Sequence, residues 1–413
     1  MASFLKSPVW GNRTLLAVSF TVFAAYTGIG MVGPVRVLYA QAHGASLAVI
    51  GAMASSYLIS NFLFQYPVGW LADRWGRKPL MIVGLLAQAG LTVVYLFVFD
   101  PLIFVGLRFL EGIAAAALVP SARALISDAV PAEQQGEAYG VFSAFLNGGF
   151  LLGPGIGGVL ATTDYSAAFI GAIAFRLLAV VIIITMIHSR RDGSVVGGQS
   201  RQQATVSLKR LFTLPLIGAY IITFGDYLYI GFDQSLMPLW MHDHLKAAVV
   251  MIGIAYMVFA VPNMILSPVG GRLADKRRRS WLILVFGLVQ VPLYIVYGLV
   301  DLVLPVIILF GVHGVFYALM QPAVDANVAA FSASNMRGRV QGLYSAFGLF
   351  GAFVGSIGFG PLYVLNFRYP LFAMGIGLGL CVLVGGLMIR IAEQRSMRTI
   401  KGNLLRKEDH NPS

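Results

Sequence analysis

Several ionisable residues interrupt long apolar stretches of this sequence. Five of them are candidates for proton coupling, namely Arg108, Glu111, Asp226, Asp233 and His313. Ionisable side chains inside membrane-length apolar segments usually face a protein interior or a water-filled cavity, where they bind ions or protons. A carboxylate in a low-dielectric cavity can take up a proton near neutral pH, and a histidine can relay one. These residue types therefore predict reversible protonation, with Asp226 as the first candidate.

The spacing of these residues indicates which of them act together. Arg108 and Glu111 are one helical turn apart and can form an ion pair, which is either part of proton coupling or purely structural. Asp226 and Asp233 are seven residues apart and therefore share one face of a helix. Solvation at a cavity mouth is the alternative for Asp233, and ordinary hydrogen bonding in a packed helix is the alternative for His313.

Other side chains could contact a substrate. Arg36, near the outer end of the first apolar segment, can attract anionic groups, and that segment has no acidic residue. Arg176 and Asp325 are interpreted first as structural charges. Aromatic rings suit a broad apolar pocket, although packing between helices is their more common role. The candidates for a substrate cavity are Arg36, Tyr26, Tyr57, Tyr227, Tyr256, Phe316 and Tyr317.

The composition shows which elements must position these residues. The chain has 413 residues, of which 58% are hydrophobic and 11% are charged, and its mean hydropathy is +0.80. A water-soluble fold could not bury so much apolar surface, so the sequence predicts an all-α polytopic membrane protein. Twelve spans are expected, at 14–37, 47–71, 79–99, 102–124, 137–161, 166–188, 211–236, 249–274, 280–300, 302–325, 338–361 and 367–389.

Basic residues collect in alternate loops. They follow spans 2 and 8, separate spans 6 and 7, precede span 11 and fill the C-terminal tail. The positive-inside rule then places both termini in the cytoplasm of a multi-pass protein, for which we expect the cell inner membrane. The net charge of +12 is spread over these loops rather than over one soluble face, which argues against nucleic-acid binding.

The two halves of the sequence resemble each other. The triplet at 71–73 returns at 273–275, and Pro120, Gly136 and Gly140 have counterparts at the same offset of 202 residues. We therefore expect an N-terminal six-helix bundle at 1–188, a cytoplasmic linker at 189–210, a C-terminal six-helix bundle at 211–390 and a tail at 391–413. Duplicated bundles are typical of alternating-access carriers, whose site lies between the halves.

The loop after span 2 is distinctive. It reads GWLADRWGRKPL from Gly69 to Leu80 and resembles, at nearly every position, the signature loop of the major facilitator superfamily. The resemblance implies a latch between the halves, in which Asp73 faces the start of span 11 and Arg77 pairs with an acid after span 4. The latch residues are then Gly69, Asp73, Gly76, Arg77 and Asp128, with Asp275 in a weaker copy. The alternative is that these charges only orient the protein.

Two further segments resemble motifs of the same superfamily. Arg108 begins RFLEGIAA, which is similar to the motif whose arginine lies in the cavity of proton-coupled members. Span 5 carries a Gly-Pro motif that is characteristic of exporters exchanging substrate for protons, or alternatively reflects close helix packing alone. The residues of this motif are Gly149, Gly153, Pro154, Gly157 and Gly158.

Together these features predict a secondary active transporter of the drug:proton antiporter type. The expected activity is proton-coupled export of small amphipathic or drug-like compounds. Import or uniport of a metabolite, and export of a lipid-like substrate, are the alternatives. No nucleophile–base pair, metal cluster or phosphate-binding loop is legible, so we expect neither an enzyme nor a metal or other cofactor. The expected partners are the substrate, protons and membrane lipid, and we expect a monomer.

Overall fold

The computed structural model describes residues 11–131, 135–187, 210–332 and 337–408. In this part of the chain the regular elements are helices, and twelve spans are long and apolar enough to cross a membrane. The predicted all-α membrane fold is therefore confirmed. Spans 1 to 6 are Arg13–Ala42, Leu47–Trp75, Arg77–Tyr95, Pro101–Ala115 with Leu118–Ala129, Gln135–Leu160 and Tyr165–Met186. Spans 7 to 12 are Leu214–Asp233, Val249–Lys276, Arg279–Leu299, Val303–Ala330, Arg337–Leu365 and Tyr369–Glu408.

Polar side chains in the loops determine where several spans begin. The Asn12 side chain accepts a hydrogen bond from the Leu15 amide (3.0 Å), and Asp100 accepts one from the Leu102 amide (2.8 Å). These bonds satisfy amide groups that have no partner within the first helical turn. Gly76 separates spans 2 and 3 with φ +92°, a conformation that side chains other than glycine rarely adopt.

Span 4 is not the single helix that the sequence predicted. It breaks at Ala116 and Ala117 and continues as a second helix from Leu118. The cause is Pro120, which has no amide hydrogen and whose ring clashes with the carbonyl four residues earlier, that of Ala116. The break separates Arg108 and Glu111 from the end of the span that carries Arg123 and Asp128.

Two segments outside the predicted spans are also helical. A short helix, Met237–Asp243, lies between spans 7 and 8, where the sequence predicted only a loop. Span 12 continues as a helix to Glu408, through most of the predicted tail, because residues 391–408 contain few residues that disfavour a helix. The predicted linker at 189–210 lies, apart from Arg210, outside the described residues.

Glycines allow the backbones of spans 1 and 5 to touch. A Cβ atom on Gly149 would lie 2.6 Å from the Phe23 carbonyl oxygen, and one on Gly153 would lie 2.6 Å from the Thr27 carbonyl oxygen. Real Cβ atoms essentially never approach so closely, so only glycine fits at these two positions. Close approach of this kind stabilises helix pairs in lipid, where no hydrophobic force drives them together.

The second half repeats this contact. Gly351 and Gly355 of span 11 lie against the backbone of Phe224 and Leu228 in span 7. The two glycines are 202 residues after Gly149 and Gly153, so the internal repeat of the sequence is also present in the packing.

This packing predicts the effect of adding one methyl group. Gly351→Ala should destabilise the protein by about 1–3 kcal/mol, because the methyl group would overlap the Phe224 backbone. Thermal unfolding of the detergent-purified protein measures the effect. The matched control is Gly360→Ala in the same helix, where no atom lies within 4 Å of the added carbon. Equal unfolding temperatures for the two variants would contradict the prediction.

Candidate functional site

The two halves touch near the end of the bundle where spans 2 and 8 begin. Gly51 in span 2 packs against Ser356 in span 11, so that a Cβ atom on Gly51 would lie 2.6 Å from the Ser356 carbonyl oxygen. The hydroxyl oxygens of Ser55 and Ser356 are 2.5 Å apart and share a hydrogen bond. These contacts leave no room for a solute between spans 2 and 11.

Spans 5 and 8 make the equivalent contact. Gly253 in span 8 packs against the Pro154 carbonyl, and Gly158 lies against the Val249 backbone. Gly253 lies 202 residues after Gly51, and Ser356 lies 202 residues after Pro154. The two contacts are therefore related by the internal repeat. We call the four residues Gly51, Pro154, Gly253 and Ser356 the gate.

A polar contact lies near the gate. The Gln41 amide at the end of span 1 donates a hydrogen bond to Asp243 in the short helix (2.6 Å). That helix therefore connects the two halves at the closed end. Next to it, stacking of His244 on Phe367 at 3.8 Å partly buries the imidazole, which lowers the pKa of His244.

The opposite end is less closely packed around the signature loop. A Cβ atom added to Gly69, Gly271 or Gly342 would meet no atom of the described residues within 4 Å. Trp70 and Trp75 near the end of span 2 are exposed. The close contacts between the halves therefore lie at the gate, and these positions beside the basic loops lack such contacts in the described part of the chain.

A charged cluster is buried in the first half. Glu111 accepts from Arg108 at 2.9 Å and from Arg36 at 3.3 Å, one bond to each carboxylate oxygen. The Arg108 guanidinium also stacks 4.0 Å above the centre of the Tyr57 ring. The pair within span 4 forms as its spacing predicted, whereas sequence spacing gave no signal for the contact with Arg36.

Arg176 extends this cluster from span 6. It donates to the Thr92 hydroxyl at 2.6 Å and is completely surrounded by protein. Tyr95 in span 3 lies beside it and beneath the Arg36 guanidinium, 5.4 Å from ring centre to cation. Sequence reasoning missed Tyr95 and treated Arg176 as structural. The signal that could have identified Arg176 as part of the cluster was its position inside a predicted span, as a third arginine of the first half.

Asp226 lies in the second half, surrounded by protein but with few polar partners for its charge. Its side chain is buried, and Oδ2 has no hydrogen-bond partner among the described residues. The Tyr317 hydroxyl faces the carboxyl group, and Asp325 is near enough to repel it. Asp325 itself accepts from Tyr344 at 3.1 Å and from Gln321 at 3.2 Å on the more exposed side of span 10.

Asp233 has different surroundings from Asp226. The hydroxyl groups of Tyr229 and Tyr256 face its carboxyl group, and Tyr256 also donates to its backbone carbonyl at 3.2 Å. One carboxylate oxygen of Asp233 has no partner in the described part of the chain. The two aspartates therefore occupy separate tyrosine-lined positions on one helix.

His313 is enclosed by aromatic rings. The ring centroids of Tyr229, Phe259 and Tyr294 lie 5.1–5.3 Å from its own. The Gln290 amide donates to the Phe286 carbonyl at 2.9 Å, so its oxygen faces His313 Nε2 at 3.2 Å and requires the hydrogen there. Nδ1 is then an acceptor, and no described residue donates to it.

The remaining aromatic candidates for the substrate cavity lie in different parts of the bundle. Tyr26 packs edge-on against Phe150 at 4.7 Å, and Tyr227 covers Gly348. Phe316 faces Phe286 of span 9 at 6.3 Å and so belongs to a helix interface.

The latch residues are only partly described. Arg77 forms an ion pair with Asp128 and donates to the Ala124 carbonyl at 2.6 Å, which ties span 3 to the end of span 4. The side chains of Asp73 and Asp275 lie outside the described part of the structure. Within the described residues no three His, Cys, Asp or Glu side chains gather as a metal site would require.

Comparison with known proteins gives the same architecture. Residues 18–233 and 220–407 each match the Major Facilitator Superfamily. Among solved structures, a bacterial homologue of the human lysosomal transporter Spinster, captured inward-facing and unoccupied, has a TM-score of 0.75 at 15% identity, covering 91% of this chain and 96% of that one. A D-xylose-proton symporter has a TM-score of 0.73 at 18% identity, over 92% of this chain and 97% of that one.

Two curated relatives span nearly the whole sequence. The Quinolone resistance protein NorA of Staphylococcus aureus is 25% identical over 397 residues, which is 94% of this chain and 99% of the relative. Multidrug resistance protein 2 of Bacillus subtilis is 25% identical over 394 residues, which is 92% of this chain and 97% of the relative.

The gate predicts a specific cross-link. With Cys381 replaced by serine, Ser55→Cys and Ser356→Cys together should form a disulfide under mild oxidation, because the hydroxyl oxygens they replace are 2.5 Å apart. A maleimide of high molecular mass, added after denaturation, would then label neither thiol until reductant is added. Each single variant is the control and should stay fully labelled. Full labelling of the oxidised double variant would contradict the closed gate.

The buried cluster predicts a charge-dependent loss of stability. Glu111→Gln should destabilise the protein by about 3–5 kcal/mol, because it leaves the two buried guanidinium groups of Arg36 and Arg108 without their carboxylate partner. Arg108→Gln added to Glu111→Gln restores the net charge of the cluster and should recover part of that loss in thermal unfolding.

Asp301→Asn provides the comparison for this prediction. It breaks the exposed ion pair with Arg368 and should change stability by no more than about 1 kcal/mol. A double variant no more stable than Glu111→Gln alone would show that the charge of the cluster is not what stabilises it.

Proposed function

Because this chain belongs to the major facilitator superfamily, we propose that it is a proton-coupled exporter of small amphipathic compounds. The printed names of NorA and Multidrug resistance protein 2 support a drug-like substrate, since both relatives match over almost their full length. The complete Gly-Pro motif of span 5, whose proline forms part of the gate, supports export.

The observation that carries the proposal is the buried carboxyl group of Asp226, which lies near the middle of span 7. An ionised carboxylate with one unpartnered oxygen is costly in a low-dielectric interior, so binding a proton stabilises it. Release of that proton on binding of substrate, or uptake of the proton on its departure, would couple the two movements. Asp233, Glu111, Arg108 and His313 are further candidates for the same proton path.

The transport cycle follows from the gate. The gate closes the end opposite the basic loops, so substrate would be taken up from the side of those loops, which the charge distribution predicts to be the cytoplasmic side of the inner membrane. Opening the gate while the signature loops meet would present the substrate outside. Rigid movement of the bundles 1–188 and 211–390 accounts for this exchange, and the linker 189–210 allows it.

The latch would hold the outward-facing state. Arg77 and Asp128 fix the cytoplasmic ends of spans 3 and 4, so that Asp73 at the end of span 2 can meet the positive N-terminal end of span 11. Gly69 provides room for this approach, because no atom of the described residues lies within 4 Å of a Cβ atom placed on it. Asp275 would make the weaker, symmetry-related contact.

Import is the second candidate function. The fold is shared with a D-xylose-proton symporter, and the same rocking movement can carry solute in either direction. The direction of proton movement distinguishes the two functions, since an importer of that type moves protons with its substrate.

The proposal predicts a proton signal that depends on Asp226. Adding a transported compound to proteoliposomes that contain a pH-sensitive dye should change the internal pH for the wild-type protein. Asp226→Asn, which keeps the shape of the side chain but cannot ionise, should abolish the change while leaving compound binding in place.

The matched control is Asp301→Asn, an exposed aspartate in the loop between spans 9 and 10. It should behave like the wild type. Equilibration of a labelled compound without any pH change would identify a facilitator. A pH change that survives Asp226→Asn would assign the proton to another of the candidate residues.

A further inference from the structure

The cluster in the first half carries more positive than negative charge. Arg36, Arg108 and Arg176 are 8%, 9% and 2% exposed, and Glu111, at 3%, is the carboxylate with which the first two form ion pairs. Three arginines and one glutamate give a formal charge of +2 in a protein interior. We call these three arginines the arginine cluster.

Several hydrogen-bond donors in this region also have no acceptor among the described residues. The Nε–H of Arg36 and the Nε–H of Arg176 have no acceptor among the described residues, and neither does the hydroxyl of Tyr95. They belong to one cluster, because Arg36 pairs with Glu111 and lies over the Tyr95 ring, while Arg176 bonds to Thr92, which is in the same helix as Tyr95. Guanidinium groups present donors in a planar fork that matches a carboxylate. The region therefore lacks acceptor oxygens and negative charge, both of which one carboxylate ligand would supply.

The walls beside these donors are aromatic. Tyr57 lies under Arg108, Tyr95 lies under Arg36, and the hydrocarbon parts of both rings face the cluster. Tyr95 is already buried against Phe104 and Phe169, whereas Tyr57 is only partly buried. A ligand that joined a carboxylate to a flat apolar body could therefore place that body against Tyr57, a contact that a small inorganic anion would not make.

The depth of the cluster also fits a substrate group. Arg108 is seven residues from the start of span 4, or about 10 Å along the helix from the closed end. Tyr57 follows the gate contact at Ser55 by two residues. A group bound at the arginine cluster would therefore sit just below the closed gate, on the side that opens next in the cycle.

We propose that the arginine cluster binds the carboxylate of the transported compound, so that the substrates are amphipathic organic acids. The proposal rests on the proposed transport function and specifies its substrate class. Arg36 Nε, Arg176 Nε and the Tyr95 hydroxyl donate to the carboxylate, while Glu111 holds Arg36 and Arg108 in place. The acid brings the negative charge that the cluster lacks.

Binding to the purified protein in neutral detergent tests the proposal. The probes are 2-naphthoic acid, its primary amide and the corresponding naphthylmethylamine, which share one ring system and differ in charge. Isothermal titration should show binding of the acid, with the amide and the amine weaker by about tenfold or more. Equal affinity for acid and amide would overturn the proposal.

Two variants locate the binding site. Arg36→Gln should weaken binding of the acid by about tenfold or more and leave the amide unchanged. Arg277→Gln removes the same charge from an exposed loop and should bind the acid like the wild type. An unchanged affinity of Arg36→Gln for the acid would overturn the assignment.

Tyr95→Phe keeps the test decisive even if Arg36→Gln does not fold. It removes a hydroxyl that has no partner in the described part of the chain, so folding loses no internal hydrogen bond. We expect a severalfold loss of affinity for the acid at an unchanged unfolding temperature. A purely structural role for the cluster would leave the affinity unchanged.

A lipid headgroup offers the same anionic chemistry and is distinguished by the membrane used. In nanodiscs of phosphatidylcholine, adding phosphatidylglycerol should leave binding of the acid unchanged. Competition by phosphatidylglycerol that disappears in Arg36→Gln would assign the cluster to lipid instead.

Transport measurements distinguish failure of the proposed acid site from failure of the proposed proton-coupled transport. Proton movement driven by the naphthylmethylamine and insensitive to Arg36→Gln would sustain proton-coupled transport and overturn the acid site. Acid binding that depends on Arg36, without proton movement in proteoliposomes, would sustain the acid site and overturn proton coupling.

Discussion

The hydrocarbon of a bilayer offers no hydrogen-bond partner, and this constraint explains most of the structure. Each span satisfies its backbone within its own helix, and the described residues accordingly contain helices and no strands. Helices in lipid gain no hydrophobic energy by associating, so they depend on close contact. Gly149, Gly153, Gly351 and Gly355 provide that contact within the halves. The same constraint makes an unpaired charge within a span a sign of a functional site, because such a charge costs free energy and contributes nothing to packing.

The gate uses the packing rule of the bundles for a contact that has to break. Gly51 against Ser356 and Gly253 against Pro154 are backbone approaches, and the Met257 side chain packs against the adjacent Gly155. Their relation by the internal repeat means that one rotation of the halves opens both. The backbone contacts of the gate follow the internal symmetry. The hydrogen bond between Ser55 and Ser356 does not, because it occurs in only one of the two contacts.

The sequence predicted those features that depend on local spacing. Twelve apolar segments, the repeat and the pairing of Arg108 with Glu111 all follow from distances along the chain. The break at Ala116 was also accessible, since Pro120 marks it, but length and hydropathy alone favoured one helix. Contacts between helices could not be predicted from distances along the chain. The positions of Arg36 beside Glu111 and of Phe316 against Phe286 depend on how the helices rotate and cross. Helix rotation is set by the sum of many packing contacts, and no single motif encodes it.

The charges of the two halves have a consequence for energetics if the proposed site and direction hold. The first half gathers arginines and the second holds Asp226, Asp233 and Asp325, so an organic acid and a proton would bind to opposite halves and need not displace each other from one group. Exporting an anion moves one negative charge outward, and each proton exchanged for it moves one positive charge inward. Both movements run down an inside-negative potential, which supplies about 2.3 kcal/mol per charge for every 100 mV. Export of an acid in exchange for one proton would therefore use the potential twice, whereas export of a cation for one proton would not use it at all. An arginine-rich first half thus suits an exporter powered mainly by voltage rather than by the pH difference.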